Sequence, residues 1–158
     1  MLNDNDFYLK DAQYELEIAR ERNDIIDVSD NVNNIREFVR DGRGDFSDVG
    51  TTESELYYLE QNGYKSEAKT SLEIARETYG RSRFALYVRS VRNVGWCFFT
   101  TPSVRNFKWL LSVLVRINHD SQKSCIKYVK KIRELAQKGR FSLDEITTKE
   151  KELKMIEG

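Results

Sequence analysis

The side chains of this sequence whose type and spacing could do chemistry are basic. Arg36, Arg92 and Arg133 each stand one step past the third member of an apolar series, at offsets of 56 and then 41. A guanidinium is a planar fork of donors that fits a carboxylate or a phosphate. Three equivalent arginines could therefore line a concave surface and read an acidic partner or phosphates. They could equally bridge to carboxylates of neighbouring helices, with Glu17 and Glu73 as partners, and this structural role is the expectation. Arg81, Arg83, Arg89 and Arg92 fall in one helical stretch; Lys123, Lys127, Lys130, Lys131, Arg133, Lys138 and Arg140 fall in another. Lys123, Lys127 and Lys130, spaced by four and three, form one stripe on a helix. Tyr87, Trp96, Phe98, Phe99, Phe107 and Trp109 lie close by in sequence. Basic stripes interleaved with aromatics can hold single strands by phosphate contact and base stacking. The competing reading makes the aromatics core and the lysines a solvated helix face. The candidate partner-binding set is Arg81, Arg89, Arg92, Trp96, Lys123, Lys127, Lys130 and Arg133.

Charge is segregated along the chain. Residues 1–60 hold 16 acidic and 6 basic side chains, a net of −10, whereas residues 81–140 hold 2 acidic and 14 basic, a net of +12. The formal net charge of zero hides this asymmetry. It has three physical outlets. The acidic part can neutralise the basic part internally, two molecules can pair through acidic and basic ends, or the basic surface can meet an anionic partner.

Catalytic and metal chemistry find little support. His119 is the only histidine, in Ile-Asn-His-Asp, and reads as a helix-end residue beside a turn. One histidine and two separated cysteines, Cys97 and Cys125, make no zinc set and no nucleophile–base pair that spacing can argue. There is no phosphate-binding loop and no dinucleotide fingerprint. The triads Asp24, Asp27, Asp30 and Asp41, Asp45, Asp48 lack the glycine and terminal glutamate of a calcium loop. Arg43-Gly44-Asp45 reads as a turn. The expectation is no enzyme, no cofactor and no metal.

The elements that must carry these residues are helices. Val28, Val32, Ile35 and Phe38 stack over Phe84, Val88, Val91 and Val94, and those over Cys125, Val129, Ile132 and Leu135. Steps of 4, 3 and 3 are one face of a helix. Leu-Glu-Ile-Ala-Arg-Glu occurs at 16–21 and again at 72–77, with Leu111–Ile117 only loosely similar. Each copy then has an aromatic residue and a Thr pair: Phe46 with Thr51–Thr52, Phe98 with Thr100–Thr101, Phe141 with Thr147–Thr148. Thr52 with Glu55 and Thr147 with Glu150 match capping boxes. Thr101 precedes Pro102, the only proline, at a first helical position. No glycine-rich loop makes these pairs phosphate sites, so they are expected to start helices.

About eight helices are expected, roughly at 5–22, 25–41, 53–62, 65–78, 81–95, 102–118, 121–138 and 148–157. Breaks are expected at Asn23–Asp24, Gly42–Gly50, Asn62–Gly63, Gly80, Gly95–Thr101, His119–Asp120 and Gly139–Leu143. An extra short helix in the first copy would account for spacings of 56 against 41. The longest apolar run, Trp109–Val115, is far short of the roughly 18 residues that span a membrane. The acidic N-terminus lacks the features of a signal peptide, and Cys125 takes a core position, so a reducing cytoplasm is expected.

A helix pair of about 40 residues is similar in size to TPR, HEAT and armadillo units. The chain thus resembles the α-solenoid proteins in general. The Trp, Leu-Gly and Tyr spacings specific to TPR units are absent, so no functional residue is carried over. What the resemblance implies is one all-α domain over 1–158, a short right-handed solenoid of about three degenerate two- to three-helix repeats. Their expected spans are 5–63, 64–106 and 107–158. The acidic first helix and charged last helix read as the polar caps of a complete array. The expected function is non-enzymatic binding of another protein, as a scaffold or interaction module, through the helical groove and the basic 81–140 surface. The alternatives are binding of RNA or single-stranded DNA by the same surface, and charge-driven self-assembly of copies through acidic and basic ends. No membrane partner is expected.

Overall fold

The computed structural model describes the backbone of residues 3–95 and 103–158, and the side chains of these apart from 84–95, 103–111 and 114. Among the described residues the chain is all helical, with six helices and no strand. They are α1 (Asp4–Glu21), α2 (Ile25–Arg40), α3 (Phe46–Val49), α4 (Glu53–Gly95), α5 (Ser103–Gly139) and α6 (Glu150–Glu157). A 3-10 turn, Leu143–Ile146, sits between α5 and α6.

Three of the expected breaks do not occur. Asn62–Gly63 and Gly80 lie inside α4, which runs for 43 residues, and His119–Asp120 lies inside α5, which runs for 37. A glycine within a helix costs only about 1 kcal/mol against alanine, and Asn, Asp or His only tenths. Packing of an apolar face outweighs such local costs. Gly63 also has a use. A Cβ there would lie 3.0 Å from Ile25 Cδ1 and 3.3 Å from Ile25 Cα, so its lack of a side chain lets the start of α2 approach α4. The break after α1 stands as expected, and the Asp24 carboxylate accepts from the Ile26 amide at 3.0 Å to start α2.

The chain divides into two compact units. Unit 1 comprises Met1–Lys69 with Glu134–Ile146, and unit 2 comprises Thr70–Arg133 with Thr147–Gly158. In unit 1, α1 and α2 form an antiparallel hairpin whose core is Ala12, Leu16, Ala19, Val28, Val32, Ile35 and Phe38, closed by Val49 of α3 and Leu56 of α4. Gly139, at the end of α5, is pressed against Tyr64 and Phe141; a Cβ there would lie 2.8 Å from Tyr64 Cβ. In unit 2, α4 and α5 run antiparallel: the Ser82 hydroxyl donates to Asn118 Oδ1 at 2.5 Å, and Cys125 Sγ lies 4.0 Å from the Ala75 carbonyl. Leu72, Ala75, Cys125, Val129, Ile132, Leu153 and Ile156 are buried there.

The stacked apolar series of the first and last copies thus holds. Val28, Val32, Ile35 and Phe38 are buried in α2, and Cys125, Val129, Ile132 and Leu135 are buried in α5. The middle series, Phe84, Val88, Val91 and Val94 with Arg92, lies outside the described side chains. Cys97, Phe98, Thr100–Thr101 and Pro102 lie outside the described residues. The short helix expected at 53–62 is not separate but forms the first part of α4, and the middle-copy segment that the offset of 41 spans includes residues outside those described. A short helix, α3, follows α2, and the 3-10 turn follows α5 in the corresponding place.

Candidate functional site

Most arginines of the described residues are committed to carboxylates. Arg20 of α1 donates from Nε to Glu55 Oε1 at 2.7 Å and from Nη2 to Glu55 Oε2 at 3.1 Å and to the Gly50 carbonyl at 3.1 Å. The Thr51 hydroxyl donates to the same Glu55 at 2.6 Å. Arg76 of α4 makes the same set: Nε to Glu152 Oε1 at 2.6 Å, Nη2 to Glu152 Oε2 at 3.0 Å and to the Thr147 carbonyl at 3.0 Å, with the Thr148 hydroxyl on Glu152 at 2.6 Å. Bidentate geometry fixes direction as well as distance. The Arg20 guanidinium, seconded by Thr51, holds the Glu55 carboxyl below its ordinary range, and Arg76 does so for Glu152. This clasp escaped the sequence reading, although its signal was present: Arg20 and Arg76 are the arginines of the two Leu-Glu-Ile-Ala-Arg-Glu segments.

A second arginine in each unit joins two carboxylates of one helix. Arg36 donates to Glu53 from Nε at 2.9 Å and to Glu60 from Nη2 at 2.9 Å. Arg133 donates to Glu150 from Nη2 at 2.6 Å and to Glu157 from Nη1 at 3.0 Å. Bridging to a neighbouring helix was expected for these arginines, but the partners are not Glu17 and Glu73. The carboxylates come from the helix that follows each Thr pair. Glu53 and Glu60, like Glu150 and Glu157, are seven residues apart and share a helix face. Arg133 is therefore a fastening residue in this structure.

The Thr pairs are displaced by one residue from the expected match. The Glu55 amide donates to Thr52 Oγ1 at 3.1 Å, so Thr52 does start α4, but the Glu55 side chain turns to Arg20 and Thr51. Thr147 caps nothing; it holds a left-handed backbone with φ of 61°, while Lys149 takes the cap position of α6. The residue matching Thr147 is Gly50, with φ of 88°, and the buried pair Thr51 and Thr148 correspond.

The lysine stripe has a different character. Lys123, Lys127 and Lys130 are exposed on α5 and make no ion pair with a described residue. Arg116, seven residues before Lys123, is exposed and lies on the same face. It was missed because a break at His119–Asp120 separated it from the stripe. The opposite face of α5 carries the buried Cys125, Val129 and Ile132. At the helical rise, Arg116 to Lys130 spans about 21 Å. Arg81 is exposed but pairs with Glu77 of its own helix at 2.5 Å. The side chains of Arg89 and Arg92 lie outside the described residues, and Trp96 does so altogether. His119 is exposed in mid-helix, and burial pushes the Cys125 thiol up, away from a reactive thiolate. Among the described residues no three His, Cys, Asp or Glu side chains gather to hold a metal ion, and no helix is long and apolar enough to cross a membrane.

One concavity lies in unit 1, between the first half of α1 and the last half of α2. It has a volume of about 270 Å³ and is lined by Asp11, Glu15, Glu37 and Asp41, with Tyr8 and Arg43 at one side. The Arg43 guanidinium lies 3.6 Å above the Tyr8 ring. Asn34 Nδ2 donates to Glu15 Oε1 at 2.8 Å, and burial still raises the Glu15 carboxyl above its ordinary range. Arg40 Nη2 lies 3.5 Å from Glu37 Oε1, so the four carboxylates of the cleft face two guanidinium groups, Arg40 and Arg43, and keep an excess of negative charge.

Compared with known proteins, the chain matches no protein-family model, no curated protein and no solved structure.

Proposed function

We propose that this chain is a non-catalytic interaction module that presents the exposed basic face of α5 to an acidic protein surface. The reading rests on a division of labour between the two kinds of cation. Arg20, Arg36, Arg76 and Arg133 are spent on carboxylates within the fold, whereas Lys123, Lys127, Lys130 and Arg116 stand clear on one helix face. Asp120 stands between Arg116 and Lys123 on this face, but Lys123, Lys127 and Lys130 follow one another without an internal partner and repel, and that cost is offset when an anionic surface covers them. Arg81, Arg89, Arg92 and Trp96 are included in the same proposal as further contacts. Architecture belongs to the proposal too: the recurrence of both arginine fastenings supports a tandem of helical repeats in the manner of a short solenoid.

The test is fluorescence anisotropy with a labelled acidic peptide and, separately, labelled single-stranded RNA and DNA, across a salt series. The expected result is peptide binding that Lys123→Glu, Lys127→Glu and Lys130→Glu together reduce by at least tenfold. Nucleic-acid binding whose log affinity falls steeply and linearly with log salt would replace the acidic protein by a phosphate backbone as partner. Binding of neither probe at low salt would overturn the reading.

A further inference from the structure

We propose that the acidic surface taken by the α5 stripe belongs to a second copy of this chain: the cleft between α1 and α2. This inference rests on the interaction-module reading and names its partner.

Charge complementarity carries it. The cleft offers Asp11, Glu15, Glu37 and Asp41, and the stripe offers Lys123, Lys127 and Lys130 with Arg116. The acidic pairs Asp11 with Glu15 and Glu37 with Asp41 are each four residues apart, about 6 Å along a helix; Lys123 with Lys127 has the same spacing. A lysine is the side chain suited to such a cleft, because a compact ammonium on a flexible stem can enter and turn its three donors to several oxygens. Glu15 has the strongest call for a cation. It is partly buried, and its hydrogen-bond donor is the neutral amide of Asn34. Each surface also carries exposed apolar side chains that association would cover. Tyr8 is 42% exposed at the cleft, with Phe7 at 65% and Tyr14 at 62% on the same helix, and Ile126 is 47% exposed beside the stripe. Aromatic and aliphatic anchors beside paired charges are the usual makeup of a productive contact.

Because cleft and stripe are different surfaces, the contact is head to tail. Each molecule added leaves one cleft and one stripe open, so association continues with concentration unless the rotation closes a ring. Exposed charges carry it, so salt weakens it within the range where the screening length falls from about 30 Å to about 8 Å.

The test uses the full chain in sedimentation velocity over a concentration series, at low and at physiological salt. Wild type is expected to grow in mass with concentration from the 18.6 kDa monomer at low salt, and to shrink when salt is raised. Two variants separate the surfaces: Lys123→Gln with Lys127→Gln and Lys130→Gln, and Asp11→Asn with Asp41→Asn. All five positions are exposed, and circular dichroism checks that each variant remains helical. Each variant alone is expected to stay monomeric. Mixed, they are expected to give a species of two chains and nothing larger, since only one intact cleft and one intact stripe remain to meet. Wild type that stays monomeric at every concentration and salt, or a mixture that stays monomeric, would overturn the proposal. If the acidic peptide still binds the stripe in that case, the interaction-module reading survives and only the choice of partner fails.

Discussion

The two units solve one problem with the same three groups, an arginine and two glutamates, and differ in how much water they leave around them. In unit 1, Arg36 reaches Glu53 and Glu60, and the Glu60 side chain is only 15% exposed. In unit 2, Arg133 reaches Glu150 and Glu157, and Glu157 is 37% exposed. The arginines themselves are similar, at 30% and 35%. Water competes more strongly for the second pair, so equal geometry does not mean equal worth. The cost of losing an arginine is set by the carboxylate it leaves behind.

That difference can be broken by deletion. Arg36→Ala strands Glu60 in a place with little access to water, and a stranded, partly buried charge is costly. We expect a loss of about 2 kcal/mol from Arg36→Ala and of about 1 kcal/mol from Arg133→Ala, read by urea unfolding with unchanged m-values. Adding Glu60→Gln to Arg36→Ala should restore part of the stability, whereas adding Glu157→Gln to Arg133→Ala should change little. Equal losses in the two units would show that exposure of the carboxylate is not what decides the cost.

The other fastening, Arg20 with Glu55 and Arg76 with Glu152, sharpens the comparison through pH. Both carboxyls sit below their ordinary range, first because of the arginine and with help from Thr51 or Thr148. The folded pKa is lower than the unfolded one, so the unfolded state binds more protons in the window between them. The stabilisation is therefore present above about pH 4.3, the unfolded value, and is lost as pH falls through the depressed folded values. Arg20→Met and Arg76→Met each remove about 1 kcal/mol at pH 7, the upper end for exposed ion pairs. They should also flatten the fall of stability on the acid side, measured as the pH dependence of the unfolding free energy from pH 7 to pH 3. A variant that loses stability at pH 7 yet keeps the wild-type acid slope would show that the arginine acts by packing alone.

Much of this was legible in residue types. The 4, 3, 3 spacing marked the buried faces of α2 and α5, and the stripe Lys123, Lys127, Lys130 is the exposed face of the same α5. Helix ends were less legible, for a physical reason. Gly63 and Gly80 look alike as stop signals, yet Gly63 is required by the approach of Ile25, and Gly80 has open space where a Cβ would stand. A residue that favours termination and a residue that permits close packing are the same residue in one dimension. The cleft was illegible because its two acidic pairs, on α1 and α2, are joined only by the packing of the hairpin. The partners of Arg36 and Arg133 were misjudged for a like reason. Glu17 and Glu73 had the right sequence equivalence, but the fastening carboxylates are supplied by α4 and α6, whose place beside the arginines no spacing encodes.

The smallest difference between the units is also the cleanest. Gly50 and Thr147 hold the same left-handed corner, with φ of 88° and 61°, and both offer their carbonyl to the arginine of the clasp. A β-branched residue there meets its own backbone, at a cost of about 1–2 kcal/mol, while glycine meets none. Glycine in turn has more freedom to lose on folding, which returns about 0.5–1 kcal/mol of that gain. Thr147 is exposed, so its side chain contributes little packing. Thr147→Gly is thus expected to stabilise the protein by about 0.5 kcal/mol, and Gly50→Thr to destabilise it by about the same or more, both read as shifts in the urea midpoint. The carbonyl contacts to Arg76 and Arg20 survive either change, so the pair isolates the backbone from the clasp it supports. If Thr147→Gly destabilises, the threonine side chain has a role at that corner that the glycine in unit 1 does without.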